Sequence, residues 1–289
     1  MDLTTVAGKV LAFANRASEQ IGEIISSPEL EARLDRIPTR LSDYGVDAFG
    51  FDPQYVKRVI GFGAWVYRHY HRCETFGIEN IPDGRCMLVS NHSGQLPMDG
   101  AMIAMAMFLE REPPRFCRSA IERFVPETPF VSTFMARVGQ FLGTPENAKR
   151  LLEAEESLLV FPEGVRGLNK VWSDRYRLQM FGTGFMRLAI ETNTPIVPVS
   201  VIGAEEQSPS IFASRTLGKI FGIPALPITP TIVPFPAPTR YRIYFGKPMV
   251  FSGDSNDEDD VIRAKVETLR SAMQSMVDEG LKAREHVFW

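Results

Sequence analysis

Two hydrophobic patterns alternate along the chain. Short unbroken apolar runs, Cys86–Val89, Ser157–Phe161 and Pro195–Ile202, suit strands buried on both faces. Between and around them lie longer stretches with helical spacing: Pro53–His71, Met98–Leu109, Pro145–Glu155 with proline in its first turn, Phe185–Thr192 and Val261–Ala283. Shorter strands are expected at Gly77–Pro82, Arg115–Arg118, Gly139–Gly143 and Tyr241–Phe245, and helices at Ile121–Val138 and Ile211–Phe221. Strand–helix alternation of this kind predicts an α/β fold with a mostly parallel central sheet flanked by helices.

Residues 3–25 also carry a helical stripe, Val6, Val10, Leu11, Ile21 and Ile24, and a short helix follows from Ser27-Pro28 to Leu34. The stripe fits a helix packed on its own domain or one lying in a membrane interface. The chain is therefore expected to divide into an N-terminal helical, membrane-associating segment over residues 1–72 and an α/β domain over 73–289. Tyr67–Arg72 is basic and aromatic, suited to a helix C-terminal cap or to lipid headgroups. Gly222–Thr239 is apolar and uncharged and holds six prolines, so neither a regular helix nor a central strand is expected there. A buried loop or an apolar flap touching lipid or acyl chain remains.

Composition narrows the class. The 289 residues suffice for one large α/β domain with a helical segment appended, and 44% hydrophobic with 23% charged residues is ordinary for a globular protein. A net charge of −3 gives no support to a nucleic-acid partner. Cys73, Cys86 and Cys117 are scattered, odd in number and without zinc spacing, which predicts reduced thiols in a cytosolic compartment. Asp2, Lys9 and Arg16 interrupt the apolar Val10–Phe13, a pattern not expected of a secretory signal. No apolar run reaches the roughly 18–20 residues that span a bilayer, so contact with lipid is expected at the surface of a membrane.

The candidate chemistry lies where apolar runs end. After Cys86–Val89 comes Ser90-Asn91-His92, and Asp99 opens the next helix. After Ser157–Phe161 comes Pro162-Glu163-Gly164-Val165-Arg166-Gly167. In open α/β sheets ligands bind at the carboxyl ends of strands. An imidazole placed there can serve as a general base, with a carboxylate on its other nitrogen fixing the tautomer. A histidine in a loop is equally compatible with ordinary polar surface, and Arg166 with a structural ion pair to Glu163.

Asn91-His92 with a downstream aspartate, then Phe161-Pro162-Glu163-Gly164-x-Arg166, then Pro195–Val199 resemble, in that order, the sequence blocks of the glycerolipid acyltransferase superfamily. That superfamily includes the lysophosphatidic acid acyltransferases and monoacylglycerol and diacylglycerol acyltransferase-like branches. The resemblance spans about Gly77–Gly246. It implies direct transfer of an acyl chain from acyl-CoA, or acyl-carrier protein, to a hydroxyl of a glycerol-based lipid. His92 would be the base and Asp99 its partner. Asn91, Arg118, Glu163, Gly164 and Arg166 would bind substrate. It implies no metal or other cofactor, and a place on the cytoplasmic surface of a membrane.

Two departures from the family pattern stand out. The family's aspartate position is Pro97 here, and the acid comes two residues later, at Asp99; failing that residue, Gln95 or a backbone carbonyl would orient the ring. The arginine that phosphatidate-forming members carry after a glycine-rich strand is absent from Gly139–Asn147, and Arg118, where relatives often hold lysine, would replace it. Two other readings stay open: a catalytically idle lipid-binding protein on the same fold, and a thioester hydrolase.

Overall fold

The computed structural model describes residues 27–92, 98–121, 131–164, 167, 170, 172–208, 212–214, 226–228 and 236–288. Its centre is a seven-stranded sheet of order β1-β9-β6-β2-β5-β3-β4. The strands are β1 (Glu74–Phe76), β2 (Cys86–Ser90), β3 (Cys117–Ile121), β4 (Phe141–Leu142), β5 (Ser157–Val160), β6 (Ile196–Ile202) and β9 (Arg242–Phe245). All pairings are parallel except β6 with β9. The helices are α1 (Pro28–Asp35), α2 (Pro53–Trp65), α3 (Met98–Leu109), α4 (Val131–Arg137), α5 (Pro145–Glu153), α6 (Gly184–Glu191) and α7 (Asp259–Ala283). A π-helical segment, Val66–Tyr70, continues α2.

Alternation along the strands sorts residues between two cores. Cys86 and Leu88 of β2 join a cluster with α1, α2 and α3, whereas Met87 and Val89 face α5, α6 and α7. Leu159 and Leu158 of β5 divide in the same way, as do Val197 and Ile196 of β6. Each such fully buried aliphatic side chain contributes roughly 1.5–3 kcal/mol. The strands read as unbroken apolar runs because both faces of the sheet are covered. Local chemistry sets two helix starts: Asp52 accepts from the Tyr55 N–H ahead of Pro53, and Thr144 accepts from the Asn147 N–H ahead of Pro145.

Some expected elements move. The strand anticipated at Gly77–Pro82 is β1 at Glu74–Phe76, followed by a 3-10 turn at Ile78–Asn80 after Gly77, whose φ is +72°. The strand at Arg115–Arg118 begins two residues later, at Cys117, and runs to Ile121, so the following helix cannot begin at Ile121. Within Ile211–Phe221, residues Phe212–Ser214 form a strand, β7, rather than helix, and pair antiparallel with β8 (Leu226–Ile228). This separate two-stranded ribbon holds part of the proline-rich stretch and is consistent with proline's exclusion from central strands.

Tyr67–Arg72 is divided between core and surface: Tyr67 and His71 turn inward, whereas Arg68 and His69 are exposed. Tyr67 and His71 are buried, the Tyr70 hydroxyl donates to the Pro236 carbonyl at 2.6 Å, and His71 Nδ1 lies 3.1 Å from the Thr239 carbonyl. Burial lowers the His71 pKa from 6.5 to about 4, so its ring is neutral. Helices α1 and α2 share one core with the sheet through Leu30, Leu34, Val56 and Ile60. The stripe over residues 3–25 lies outside the described residues. Cys73, Cys86 and Cys117 are free thiols. Among the described residues no helix is long and apolar enough to cross a membrane.

Candidate active site

Three neighbouring strands, β5, β2 and β6, deliver acids and a histidine at their carboxyl ends. His92 follows β2 by two residues and Asp99 is the second residue of α3. His92 Nδ1 lies 2.7 Å from Asp99 Oδ2, and the two residues are 8% and 0% exposed. The carboxylate accepts, so Nδ1 carries a proton, and in the neutral tautomer that this contact selects Nε2 has the lone pair. Asp99 Oδ1 accepts the Gly100 N–H at 2.8 Å, which ties the carboxylate to the start of α3. Phe161 stacks on the imidazole with ring centroids 4.1 Å apart. The carboxylate contact at Nδ1 and the stacked Phe161 face together hold the ring.

Asn91 extends the pairing of β2 with β6. Its Nδ2 donates to the Val201 carbonyl at 3.0 Å, and its Oδ1 accepts the Val201 N–H at 2.8 Å. The side chain imitates a backbone ladder where the strand has ended, and so fixes the base of the His92 loop. Glu163 is buried in the turn after β5. Its Oε1 accepts the His92 N–H at 3.1 Å and its Oε2 the Gln179 N–H at 2.8 Å. Gly164 has φ +55°, a left-handed turn that glycine adopts without strain. A Cβ at Gly167 would stand 3.0 Å from the Cβ atoms of both Glu163 and His92, so the two loops close on a residue with no side chain.

The structure thus brings His92, Asp99, Asn91, Glu163 and Gly164 together. Arg118 goes elsewhere: its Nε donates to the Gly139 carbonyl at 2.5 Å, its Nη1 meets Asp47 at 2.7 Å, and its guanidinium lies over the rings of Phe49 and Phe51. Arg166 and Gln95 lie outside the described residues. Among the described residues, no cluster of histidine, cysteine or acidic side chains could hold a metal ion.

Sequence reading missed a second buried polar group beside the first. Lys170 Nζ lies 3.0 Å from Glu163 Oε2 and 3.1 Å from Glu205 Oε1, just past β6. Glu205 Oε2 accepts the Tyr176 N–H at 2.8 Å. The Tyr176 hydroxyl bonds Glu206, which Arg284 meets at 2.6 Å. Burial pushes the Glu205 carboxyl up from 4.5 to about 7, against the pull of Lys170. The available signal was Glu205-Glu206 ending an apolar strand, the same strand-end position that marked His92 and Glu163.

Comparison with known proteins gives the family of the chain. A family model described as Acyltransferase matches residues 72–202. An uncharacterized protein of Mycobacterium leprae is 36% identical over 261 residues, covering 86% of this chain and 71% of its own. The chain belongs to the acyltransferase family. A further family relative, from Gallus gallus, is the DGAT1/2-independent enzyme synthesizing storage lipids; it is 27% identical over 217 residues, 74% of this chain and 62% of its own. Among solved structures, the 1-acyl-sn-glycerophosphate (LPA) acyltransferase PlsC of Thermotoga maritima aligns with TM-score 0.51 at 18% identity, covering 79% of this chain and 81% of that one. At that identity the likeness is one of fold, the mostly parallel acyltransferase sheet with flanking helices.

Proposed function

We propose that this acyltransferase moves a fatty acyl chain from an acyl thioester, acyl-CoA or acyl-carrier protein, to a hydroxyl of a glycerol-based lipid at a membrane surface. The observation that carries the reading is the 2.7 Å contact between His92 Nδ1 and Asp99 at the carboxyl end of β2. An alcohol is a poor nucleophile until a base takes its proton, and His92 Nε2 is set to do so. As the proton arrives, the imidazolium forms against the buried Asp99 carboxylate. The hydroxyl oxygen attacks the thioester carbonyl, the tetrahedral oxyanion collapses, and the thiolate leaves with the proton that His92 returns. Stacking on Phe161 and burial of the pair keep bulk water from the ring, which disfavours hydrolysis of the thioester.

The remaining site residues take supporting roles in this reading. Asn91 and Glu163 fix the backbone leading into the base. Arg166, three residues after Glu163 in the sequence, would contact an anionic group of donor or acceptor, because guanidinium binds phosphate bidentately. Arg118 would act at a distance from the histidine, through its packing with Asp47 and Gly139. The relative that makes storage lipids supports a glyceride acceptor, and the fold of the LPA acyltransferase supports a lysophospholipid.

The test is thiol release from palmitoyl-CoA by purified protein, with lysophosphatidic acid, other lysophospholipids, monoacylglycerol and diacylglycerol offered in turn. Release that depends on one acceptor class and vanishes in His92→Ala is the expected result, and it names the acceptor. Release without acceptor would make the protein a hydrolase, and lipid binding without release would make it a binding protein.

A further inference from the structure

The geometry points to Lys170 as a positioning residue for the catalytic histidine, acting through Glu163. The inference rests on the reading of His92 as the base. Lys170 is an unusual lysine: its side chain is 5% exposed, and it sits between two carboxylates, Glu163 and Glu205, that are 0% and 5% exposed at their side chains. Lysine is almost never so buried unless paired. Its ammonium reaches Oε2 of Glu163 at 3.0 Å, Oε1 at 3.3 Å and Oε1 of Glu205 at 3.1 Å.

Glu163 Oε1, which the ammonium approaches, is also the acceptor of the His92 backbone N–H at 3.1 Å. A buried carboxylate accepts well only while ionised, and an isolated one in a low-dielectric site takes up a proton instead. The Lys170 ammonium offsets the cost of burying the Glu163 carboxylate, and Glu163 in turn holds the His92 backbone. Glu205 holds Lys170 from the opposite side, and the Tyr176 N–H holds Glu205. The Gly167 backbone, with no room for a Cβ, closes the gap between Glu163 and His92, so a released His92 loop has somewhere to move only by opening this contact. A base displaced by even 1 Å loses much of its rate.

Hydrogen exchange reads the clamp without reference to activity. The chain has four histidines, so 15N-histidine labelling yields four backbone amide signals. His71 supplies an internal control, since its amide is also bonded, to the Val66 carbonyl at 2.9 Å, in a buried residue outside the cluster. In Lys170→Met the His92 amide is expected to exchange at least about tenfold faster while His71 exchanges as in the wild type. Lys170→Arg, which keeps the charge, should stay within about threefold of the wild type. Lys170→Gln keeps a donor but no charge, should accelerate His92 as well, and serves where the methionine variant does not fold. In the acyl-transfer assay Lys170→Met should lower kcat at least about tenfold with KM within about twofold. Unchanged His92 exchange, or equal acceleration of His71, would overturn the inference. Absence of acyl transfer in the wild type would sink the functional reading alone, because exchange still tests the clamp.

Discussion

Replacing Asp99 by asparagine tests the pair on which the mechanism turns. The shape of the side chain is kept, and the charge that stabilises a forming imidazolium is removed. Hydrogen bonds to charged groups contribute about 1.5–3 kcal/mol, and with Asp99 0% exposed no solvent screening reduces that figure. A second loss follows from Gly100. Its N–H donates to Asp99 Oδ1 at 2.8 Å, so in asparagine the amide oxygen is drawn to Gly100 and the NH2 group is turned towards His92 Nδ1. That arrangement forces the ring proton onto Nε2 and blocks the base. Escape requires turning the amide over and giving up the Gly100 bond, at about 0.5–1.5 kcal/mol. Together these losses come to about 2–4.5 kcal/mol, which is about 30- to 2000-fold in kcat. KM should stay within about twofold, since the interaction strengthens only as charge develops. The assay is steady-state thiol release with saturating acceptor, on protein whose circular dichroism matches the wild type. In a His92→Ala background the same substitution should cost less than about threefold, because the two residues act as a unit. A folded Asp99→Asn enzyme within threefold of wild-type kcat would refute the pairing.

Two further outcomes follow from the neighbouring geometry. Gly167→Ala places a methyl group 3.0 Å from the Cβ atoms of Glu163 and His92; overpacking of this kind typically costs about 1–3 kcal/mol, and kcat should drop at least about tenfold, checked together with a thermal melt. Glu205→Gln should change how stability depends on pH. The Glu205 carboxyl is raised from 4.5 to about 7, so the folded chain holds its proton where the unfolded chain has lost it. That contribution is fully present below about pH 4.5 and is lost as pH rises through about 7, on the order of 3 kcal/mol in all. Measured by denaturant unfolding at several pH values, the stability of wild type relative to Glu205→Gln should therefore fall from pH 4.5 to 7, and a flat difference would contradict it. His71, lowered to about 4, contributes the opposite slope, which is lost as pH falls through that value; it is common to both proteins and drops out of the difference.

The strands that build the site were legible because burial on both faces leaves unbroken apolar runs, as in Cys86–Val89 and Pro195–Ile202. Their ends were legible too, since polar residues such as His92 and Glu163 interrupt those runs abruptly. Partners were harder to read. Lys170 shows nothing in sequence to distinguish it from a solvated lysine, because what pairs it, Glu163 and Glu205, lies on loops brought together only by the sheet. Arg118 meets Asp47 across 71 residues of sequence, which no local pattern encodes. The strand at Phe212–Ser214 was expected as helix because a short apolar stretch carries too few turns for its period to decide. β1 has three residues, too few to alternate visibly, and its position depends on pairing with β9.

That last pairing bears on how the chain is made. β1 is the first strand of the main sheet, and it bonds only to β9, the last, with Glu74 opposite Arg242. Domains generally fold as units, from the N-terminus onward during synthesis at about 5–20 residues per second. β1 must therefore wait roughly ten seconds or more for its neighbour, and for the last few of them, after β6 is made, the β6 edge that β9 will cover stands open. Unpaired strand edges invite association with other chains. Between completion of β6 and arrival of β9 the nascent protein thus carries an open sheet edge, when His92 and Glu205 already exist but the sheet beside them is still unsealed.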